Sequence, residues 1–128
     1  MRLLLDTATF WWIACGSGRL SPLAAKVFAD PSNDVALSPI SIWELLVKNQ
    51  IGKLPTSEPI VDLIVKVRNA RLVRTLPVLE SAVLRLPSLP LLHRDPFDRL
   101  LICQALDEGM TLLTSDELIR AYPVPTLW

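Results

Sequence analysis

Four acidic residues occupy equivalent places in a repeating strand–helix pattern. Asp6 directly follows the first apolar run and Asp116 follows a later one, while Glu44 and Asp98 lie in the first two turns of helices. If the strands are parallel, all four carboxylates converge at one sheet edge. Two carboxylates about 4 Å apart repel by roughly 4 kcal/mol at an effective dielectric of 20. The cluster therefore takes up protons or holds a cation, and oxygen ligands favour Mg²⁺ or Mn²⁺.

Each acid also has a local explanation that needs no metal. The acid after the first strand could simply open a turn. Asp98 could be the third residue of a capping box begun by Asp95, and Asp116 could favour a helix N-terminus through the helix dipole. Glu44 is harder to explain in this way, because its helix is mostly apolar, but Lys48 one turn later could neutralise it.

The elements that must position these acids follow from the hydrophobic pattern. Short apolar runs predict strands at 2–5, 34–37, 72–76 and 110–113, with an edge strand at 123–127. Cap residues and apolar periodicity predict helices at 8–14, 21–30, 39–50, 59–70, 78–86, 95–109 and 116–121. Alternating strands and helices indicate an α/β fold. We expect a single domain of residues 1–128, with a central parallel sheet of about five strands flanked by helices.

Composition narrows the function classes. The formal net charge is zero, which argues against a protein that coats nucleic acid but not against a nuclease, since an acidic site offsets basic residues. His93 is the only histidine, so neither a zinc ligand set nor a catalytic triad is expected, and a surface loop position is predicted for it. The two cysteines, Cys15 and Cys103, are predicted to be buried reduced thiols. Charges and prolines interrupt every long apolar run, so we expect a cytoplasmic protein with no membrane contact.

Four motifs, in this order and spacing, resemble those of PIN-domain ribonucleases of the type that serves as VapC toxins. The resemblance covers nearly the whole chain. The motifs are Leu3-Leu4-Leu5-Asp6-Thr7, then Ser41-Ile42-Trp43-Glu44 with Lys48 and Gly52-Lys53-Leu54, then the stretch from His93 to Ala105, and finally Thr114-Ser115-Asp116.

The resemblance implies a Mg²⁺- or Mn²⁺-dependent endoribonuclease, the toxin of a type II toxin–antitoxin system. The residues matching the family's catalytic and metal-binding quartet are Asp6, Glu44, Asp98 and Asp116. Asp95 is interpreted mainly as the N-cap that holds Asp98 in place. Hydroxyls that could sit beside the metal belong to Thr7 and to Thr114 or Ser115. Basic residues that could contact RNA phosphates, or equally be solvated surface charges, are Lys48, Lys53, Arg94 and Arg99.

The resemblance also implies partners, namely an RNA substrate, a second copy in a homodimer, and a small cognate antitoxin. Trp11 and Trp12 cannot share one helix face, so one of them is a candidate for an interface. Two other functions compete. A haloacid-dehalogenase-like phosphatase would need a second Asp two residues after Asp6, where this chain has Ala8. A degenerate PIN fold that acts only as a binding module is the second alternative.

Overall fold

The strands form one sheet in which every neighbouring pair is parallel. The computed structural model describes residues 1–128. The strands are β1 (Arg2–Leu5), β2 (Asp34–Leu37), β3 (Arg74–Thr75), β4 (Thr111–Leu113) and β5 (Thr126–Leu127). Their order across the sheet is β3-β2-β1-β4-β5. The expected α/β fold with a central parallel sheet of about five strands is confirmed.

Helices connect the strands, and the three predicted to begin at Ser21, Ser38 and Asp95 have those residues as their N-caps. The helices are α1 (Thr7–Cys15), α2 (Pro22–Ala29), α3 (Pro39–Gln50), α4 (Ile60–Arg71), α5 (Glu80–Val83), α6 (Pro96–Glu108) and α7 (Glu117–Arg120). The Ser21 hydroxyl accepts from Ala24 N, and Ser38 accepts from Ile40 N, which satisfies backbone donors at the starts of α2 and α3. Gly109 ends α6 in the left-handed conformation at φ 64°.

Alternate strand residues face two separate cores, one on each side of the sheet. Leu4, Ala36 and Leu112 pack with buried residues of α6 and α7. Leu3 and Leu5 face the other way, toward buried residues of α1, α2, α3 and α4. The central strands are therefore apolar on both faces, as their sequences predict.

Three elements are shorter than the sequence predicts. Leu72 takes the left-handed conformation at φ 55° to end α4, so β3 begins only at Arg74. The helix predicted at 78–86 is a single turn, α5, followed by a 3-10 turn at Leu86–Ser88 that contains a proline. In the edge strand only Thr126 and Leu127 pair, because the prolines before them cannot donate to the ladder.

The two cysteines differ in environment. Cys103 is buried in α6 as predicted, but Cys15 is exposed because it is the last residue of α1, beyond the part of that helix that packs on the sheet. None of the seven helices has the length and apolar character needed to cross a membrane.

Candidate active site

The four acids predicted to converge do line one pocket, at the carboxyl ends of the strands. Asp95 lines the same pocket. The lining residues are Asp6, Thr7, Ala8, Trp11, Trp12, Glu44, Leu45, Lys48, Leu54, Asp95, Asp98 and Asp116. This is the position at which open α/β sheets bind their ligands. The strand–helix order of the sequence therefore located the pocket correctly.

Asp6 and Asp116 are tied together through one buried hydroxyl. Asp6 caps α1, with Oδ1 accepting from Thr9 N at 2.7 Å. The hydroxyl of Thr114 donates to Asp6 Oδ2 and accepts from Asp116 N at 3.0 Å. Burial raises the pKa of Asp6 above its usual value, and the charge of Asp116 adds to this, while hydrogen bonds from Thr114 and Thr9 oppose it. Thr114 thus fixes the ends of β1 and β4 relative to each other.

Glu44 projects from α3 into the pocket and is almost fully buried, at 5% exposure. The hydroxyl of Thr7 donates to its Oε1 at 2.8 Å and lies 3.1 Å from Ser41 Oγ. Lys48 Nζ donates to its Oε2 at 2.5 Å from one turn along the same helix. The neutralising contact that the sequence left open is therefore present.

Asp98 lies in the first turn of α6, held by the cap that precedes it. Asp95 Oδ1 accepts from Phe97 N at 2.9 Å and from Asp98 N at 3.1 Å, so Asp95 is the N-cap as predicted. Burial raises the pKa of Asp98 to about 6, the hydrogen bond from His93 opposes this, and repulsion from Asp95, Asp116 and Glu44 adds to it. The carboxylates are therefore close enough to penalise one another's charge.

His93 contacts the site directly, contrary to the surface position predicted for it. Its side chain is only 11% exposed, and Nε2 lies 3.0 Å from Asp98 Oδ2. Its Nδ1 lies 2.8 Å from the hydroxyl of Tyr122, the only tyrosine in the chain. Sequence reasoning missed Tyr122 altogether, because nothing in the local pattern links it to a histidine 29 residues earlier.

Two of the candidate polar residues are corrected by the structure. Arg99 is buried at 8% exposure, and its Nη1 donates inward to Pro90 O and Tyr122, so it does not face a substrate. Ser115 does not line the pocket, whereas Thr114 makes both hydrogen bonds to the acids. Among the basic candidates Lys48 lines the pocket, and Arg94 and Lys53 are exposed outside it.

An aromatic wall borders the acids. Both Trp11 and Trp12 line the pocket, and both are half-buried, so neither is purely core or purely surface. Trp12 packs edge-on against Trp128 at a centroid distance of 5.7 Å, and the Arg19 guanidinium lies 5.7 Å from the Trp12 ring centroid. The pocket therefore combines a strongly acidic floor with an apolar side.

The acids surround the pocket without forming a closed metal cage. As placed, no three His, Cys, Asp or Glu side chains approach closely enough to hold an ion. Glu44 turns toward Lys48, and Asp98 toward His93. Asp98 and Asp116 each use only one carboxylate oxygen in a hydrogen bond, which leaves the other free. Side-chain rotations within the pocket are therefore needed before the quartet can share an ion.

Comparison of the sequence and the fold with known proteins identifies a family for this chain. The PIN domain family model matches residues 3–124. The sequence is 27% identical to Ribonuclease VapC22 of Mycobacterium tuberculosis over 130 residues, covering 98% of each chain. The fold is similar to that of VapBC2 from Rickettsia felis bound to a DNA fragment from its promoter (TM-score 0.76, 15% identity, 100% of this chain and 99% of that one). It is also similar to VapBC-1 from nontypeable Haemophilus influenzae (TM-score 0.58, 19% identity, 99% and 97%).

The two solved structures share the fold, and the family model spans nearly all of the sequence. The matched residues, 3–124, extend from within β1 to just before β5. They therefore include all four acids of the pocket and four of the five strands. The chain therefore belongs to the PIN domain family.

Proposed function

We propose that this protein is a Mg²⁺- or Mn²⁺-dependent endoribonuclease that acts as the toxin of a type II toxin–antitoxin pair. The observation that carries the proposal is the pocket that brings Asp6, Glu44, Asp98 and Asp116 together at the carboxyl edge of a PIN-domain sheet. The similarity over nearly the full chain to a protein named as a ribonuclease supports RNA as the substrate.

The residues present fit a hard divalent cation. The pocket offers carboxylate and hydroxyl oxygens, which suit Mg²⁺ or Mn²⁺. The only histidine already has Asp98 and Tyr122 at its two ring nitrogens, so a zinc-type ligand set is not available. The raised pKa of Asp98 reflects burial and repulsion among the acids, and a bound cation would relieve that repulsion. We assign Asp6, Asp98 and Asp116 as ligands, with Glu44 completing the set.

The neighbouring hydroxyls keep the acids in place for this role. Thr7 holds one oxygen of Glu44, and Thr114 holds one oxygen of Asp6. Lys48 holds the second oxygen of Glu44 and is itself a lining residue of the pocket. When Glu44 turns toward a cation, Lys48 is left free to pair with an RNA phosphate. Exposed Arg94, just before the cap of α6, is the second candidate for such a contact.

The reaction proposed is hydrolysis of an RNA phosphodiester at this pocket. When bound, a Mg²⁺ or Mn²⁺ ion supplies an activated water for in-line attack and neutralises charge in the transition state. The chain's own contribution is an acidic pocket at the sheet edge, in which Asp6 and Glu44 are buried and Asp98 and Asp116 each keep one oxygen free. Asp6 and Thr114 are both buried and bonded to each other, so the fold itself holds this side of the pocket.

We propose two protein partners, a small cognate antitoxin and a second copy of the chain. The acidic pocket beside Trp11 and Trp12 suits an antitoxin segment that combines a basic side chain with apolar residues. A basic side chain in the pocket would pair with the acids and occupy the site proposed for the cation. The homodimer rests on the resemblance to VapC-type toxins alone.

The competing function is a PIN fold that binds partners without catalysis. It predicts that the chain cleaves no RNA with any divalent ion, although it still binds its partner. All four acids are present and line one pocket, which favours the nuclease. A binding module would gain nothing from burying carboxylates that repel one another.

Replacing Glu44 with Gln is expected to abolish both RNA cleavage and growth inhibition while the protein remains folded. The amide oxygen of Gln can still accept from Thr7, so the local geometry survives. Loss of the Glu44–Lys48 ion pair costs about 1 kcal/mol or less, because Lys48 is 44% exposed. Growth after induced expression and thermal melting by circular dichroism measure the two effects.

Glu80→Gln is the matched control for this substitution, since Glu80 is an exposed residue in the single turn of α5 and does not line the pocket. It should inhibit growth as the wild type does. A folded Glu44→Gln protein that still inhibits growth would contradict the catalytic role of Glu44. Loss of inhibition accompanied by unfolding would instead assign Glu44 a structural role.

A further inference from the structure

Asp98 lies at the end of a hydrogen-bond chain that begins in the core. Arg99 Nη1 donates to Pro90 O at 2.9 Å and to the Tyr122 hydroxyl at 3.0 Å. The same hydroxyl accepts from His93 N at 3.2 Å and lies 2.8 Å from His93 Nδ1. On the far side of the imidazole, Nε2 lies 3.0 Å from Asp98 Oδ2. None of the functional roles assigned above uses Tyr122 or His93.

The partners of the Tyr122 hydroxyl fix the direction of this chain. Its oxygen has two lone pairs, and Arg99 and the His93 backbone N–H already donate to it. The phenol proton can go to His93 Nδ1 at 2.8 Å or to His93 O at 3.4 Å, and the shorter contact to Nδ1 is the stronger hydrogen bond. An imidazole that accepts at Nδ1 carries its proton on Nε2. His93 therefore presents an N–H donor to Asp98 Oδ2.

Packing holds this donor in one orientation. Tyr122 is 3% exposed and belongs to the core under α6. The rings of His93 and Tyr122 pack edge to face at 5.4 Å, and the Arg99 guanidinium lies 5.9 Å from the Tyr122 ring centroid. Asp98 is thus anchored to the rigid core by a side chain from outside its own helix, as Asp6 is anchored by Thr114.

We propose that His93, oriented by Tyr122, is the positioning residue for Asp98. By holding Oδ2, it fixes the Asp98 carboxylate in one orientation and leaves Oδ1 free to act as the ligand oxygen. This inference rests on the proposed function, because it assigns Asp98 as a ligand. Groups that orient metal ligands typically change metal affinity by about 10- to 100-fold when removed.

Two substitutions at one position separate positioning from packing. In His93→Gln the side-chain amide nitrogen reaches nearly the place of Nε2 and can still donate to Asp98. In His93→Asn the amide is too short to reach it. We expect His93→Asn to weaken Mn²⁺ binding by about 10-fold or more, and His93→Gln to stay near the wild-type affinity. The measurement is calorimetric titration of the full chain with Mn²⁺ alone, without RNA.

A double-mutant cycle with Asp98→Asn shows whether His93 acts through Asp98. If it does, adding His93→Asn to Asp98→Asn weakens Mn²⁺ binding no further. The inference is overturned if folded His93→Asn binds Mn²⁺ as the wild type does, or if it costs the same factor with and without Asp98. If His93→Asn does not fold, Tyr122→Phe decides, since it keeps the ring and removes the hydroxyl. An unchanged Mn²⁺ affinity in that variant then overturns the inference.

The same titrations distinguish failure of this inference from failure of the proposed function. Weaker Mn²⁺ binding in Asp98→Asn than in the wild type supports the metal site itself, whatever the His93 variants do. Equal binding by the wild type and Asp98→Asn removes Asp98 from the ligand set and overturns the inference as well. Thermal melting of each variant confirms that the proteins compared are folded.

Discussion

Replacing Asp6 with Asn is expected to reduce RNA cleavage by on the order of 10²-fold or more, the size of effect seen when one preorganised electrostatic contact is removed from an active site. Asp6 is the proposed ligand most firmly held by the fold, at the end of the central strand β1. Asn has the same shape and keeps an acceptor for Thr9 N, so the helix cap is retained. The charge is lost while the geometry is preserved.

The free energy of unfolding of Asp6→Asn is expected to stay the same or to rise. The reason is that burial disfavours the charged form of Asp6 and raises its pKa. The measurements are the initial rate of cleavage of a labelled RNA with Mn²⁺ and the melting temperature. Asp62→Asn, an exposed position on α4, is the matched control and should cleave at the wild-type rate. A folded Asp6→Asn protein with wild-type activity would remove Asp6 from the mechanism.

The second large effect concerns the balance between stability and metal binding at Asp98. Its folded pKa of about 6 lies above the ordinary value of 3.8. Between about pH 4 and pH 6, Asp98 keeps its proton in the folded state and loses it in the unfolded state. The free energy of unfolding therefore falls as pH rises through this range. At 1.36 kcal/mol per pKa unit, this shift corresponds to about 3 kcal/mol at neutral pH. Metal-free Asp98→Asn should thus be more stable than the wild type at pH 7, and the difference should vanish near pH 4.

With Mn²⁺ present, the wild type should be more stable at pH 7 than Asp98→Asn. A ligand at about 100 times its dissociation constant stabilises the protein that binds it by about 2.7 kcal/mol, and Asp98→Asn should lose most of this gain. Melting temperatures at both pH values, with and without Mn²⁺, test the prediction. Asp107→Asn is a control of opposite sign, because hydrogen bonds from Ser81 and Arg85 lower the pKa of Asp107. A wild-type protein more stable at pH 7 than Asp98→Asn without metal would contradict the account.

The features predicted correctly from the sequence are those that depend on local residue patterns. Apolar runs and capping residues located the central strands and the starts of α2, α3 and α6, and with them the convergence of the acids at one edge. Leu72 is a residue whose conformation local patterns do not predict. It begins the run predicted as a strand at 72–76, yet it adopts a left-handed conformation that ends a helix, and only the packed structure determines that choice.

Side-chain partners were harder to predict than elements. The charge of Arg99 alone favours a phosphate contact, whereas helix periodicity indicates a position toward the core. Arg99 shares a helix face with Ile102 and Cys103, both fully buried, which places it toward the core. The contact between His93 and Tyr122 carried no such signal, because the two residues are far apart in sequence and come together only through tertiary packing.

The most direct test of the central claim is RNA cleavage by the purified chain, free of any partner, after removal of divalent ions with EDTA. Labelled RNA is incubated with the stripped protein while Mn²⁺ or Mg²⁺ is titrated back. The account predicts no cleavage without a divalent ion, and cleavage that rises and saturates as the ion is restored. Cleavage that persists undiminished in EDTA, or no cleavage with either ion, would contradict it.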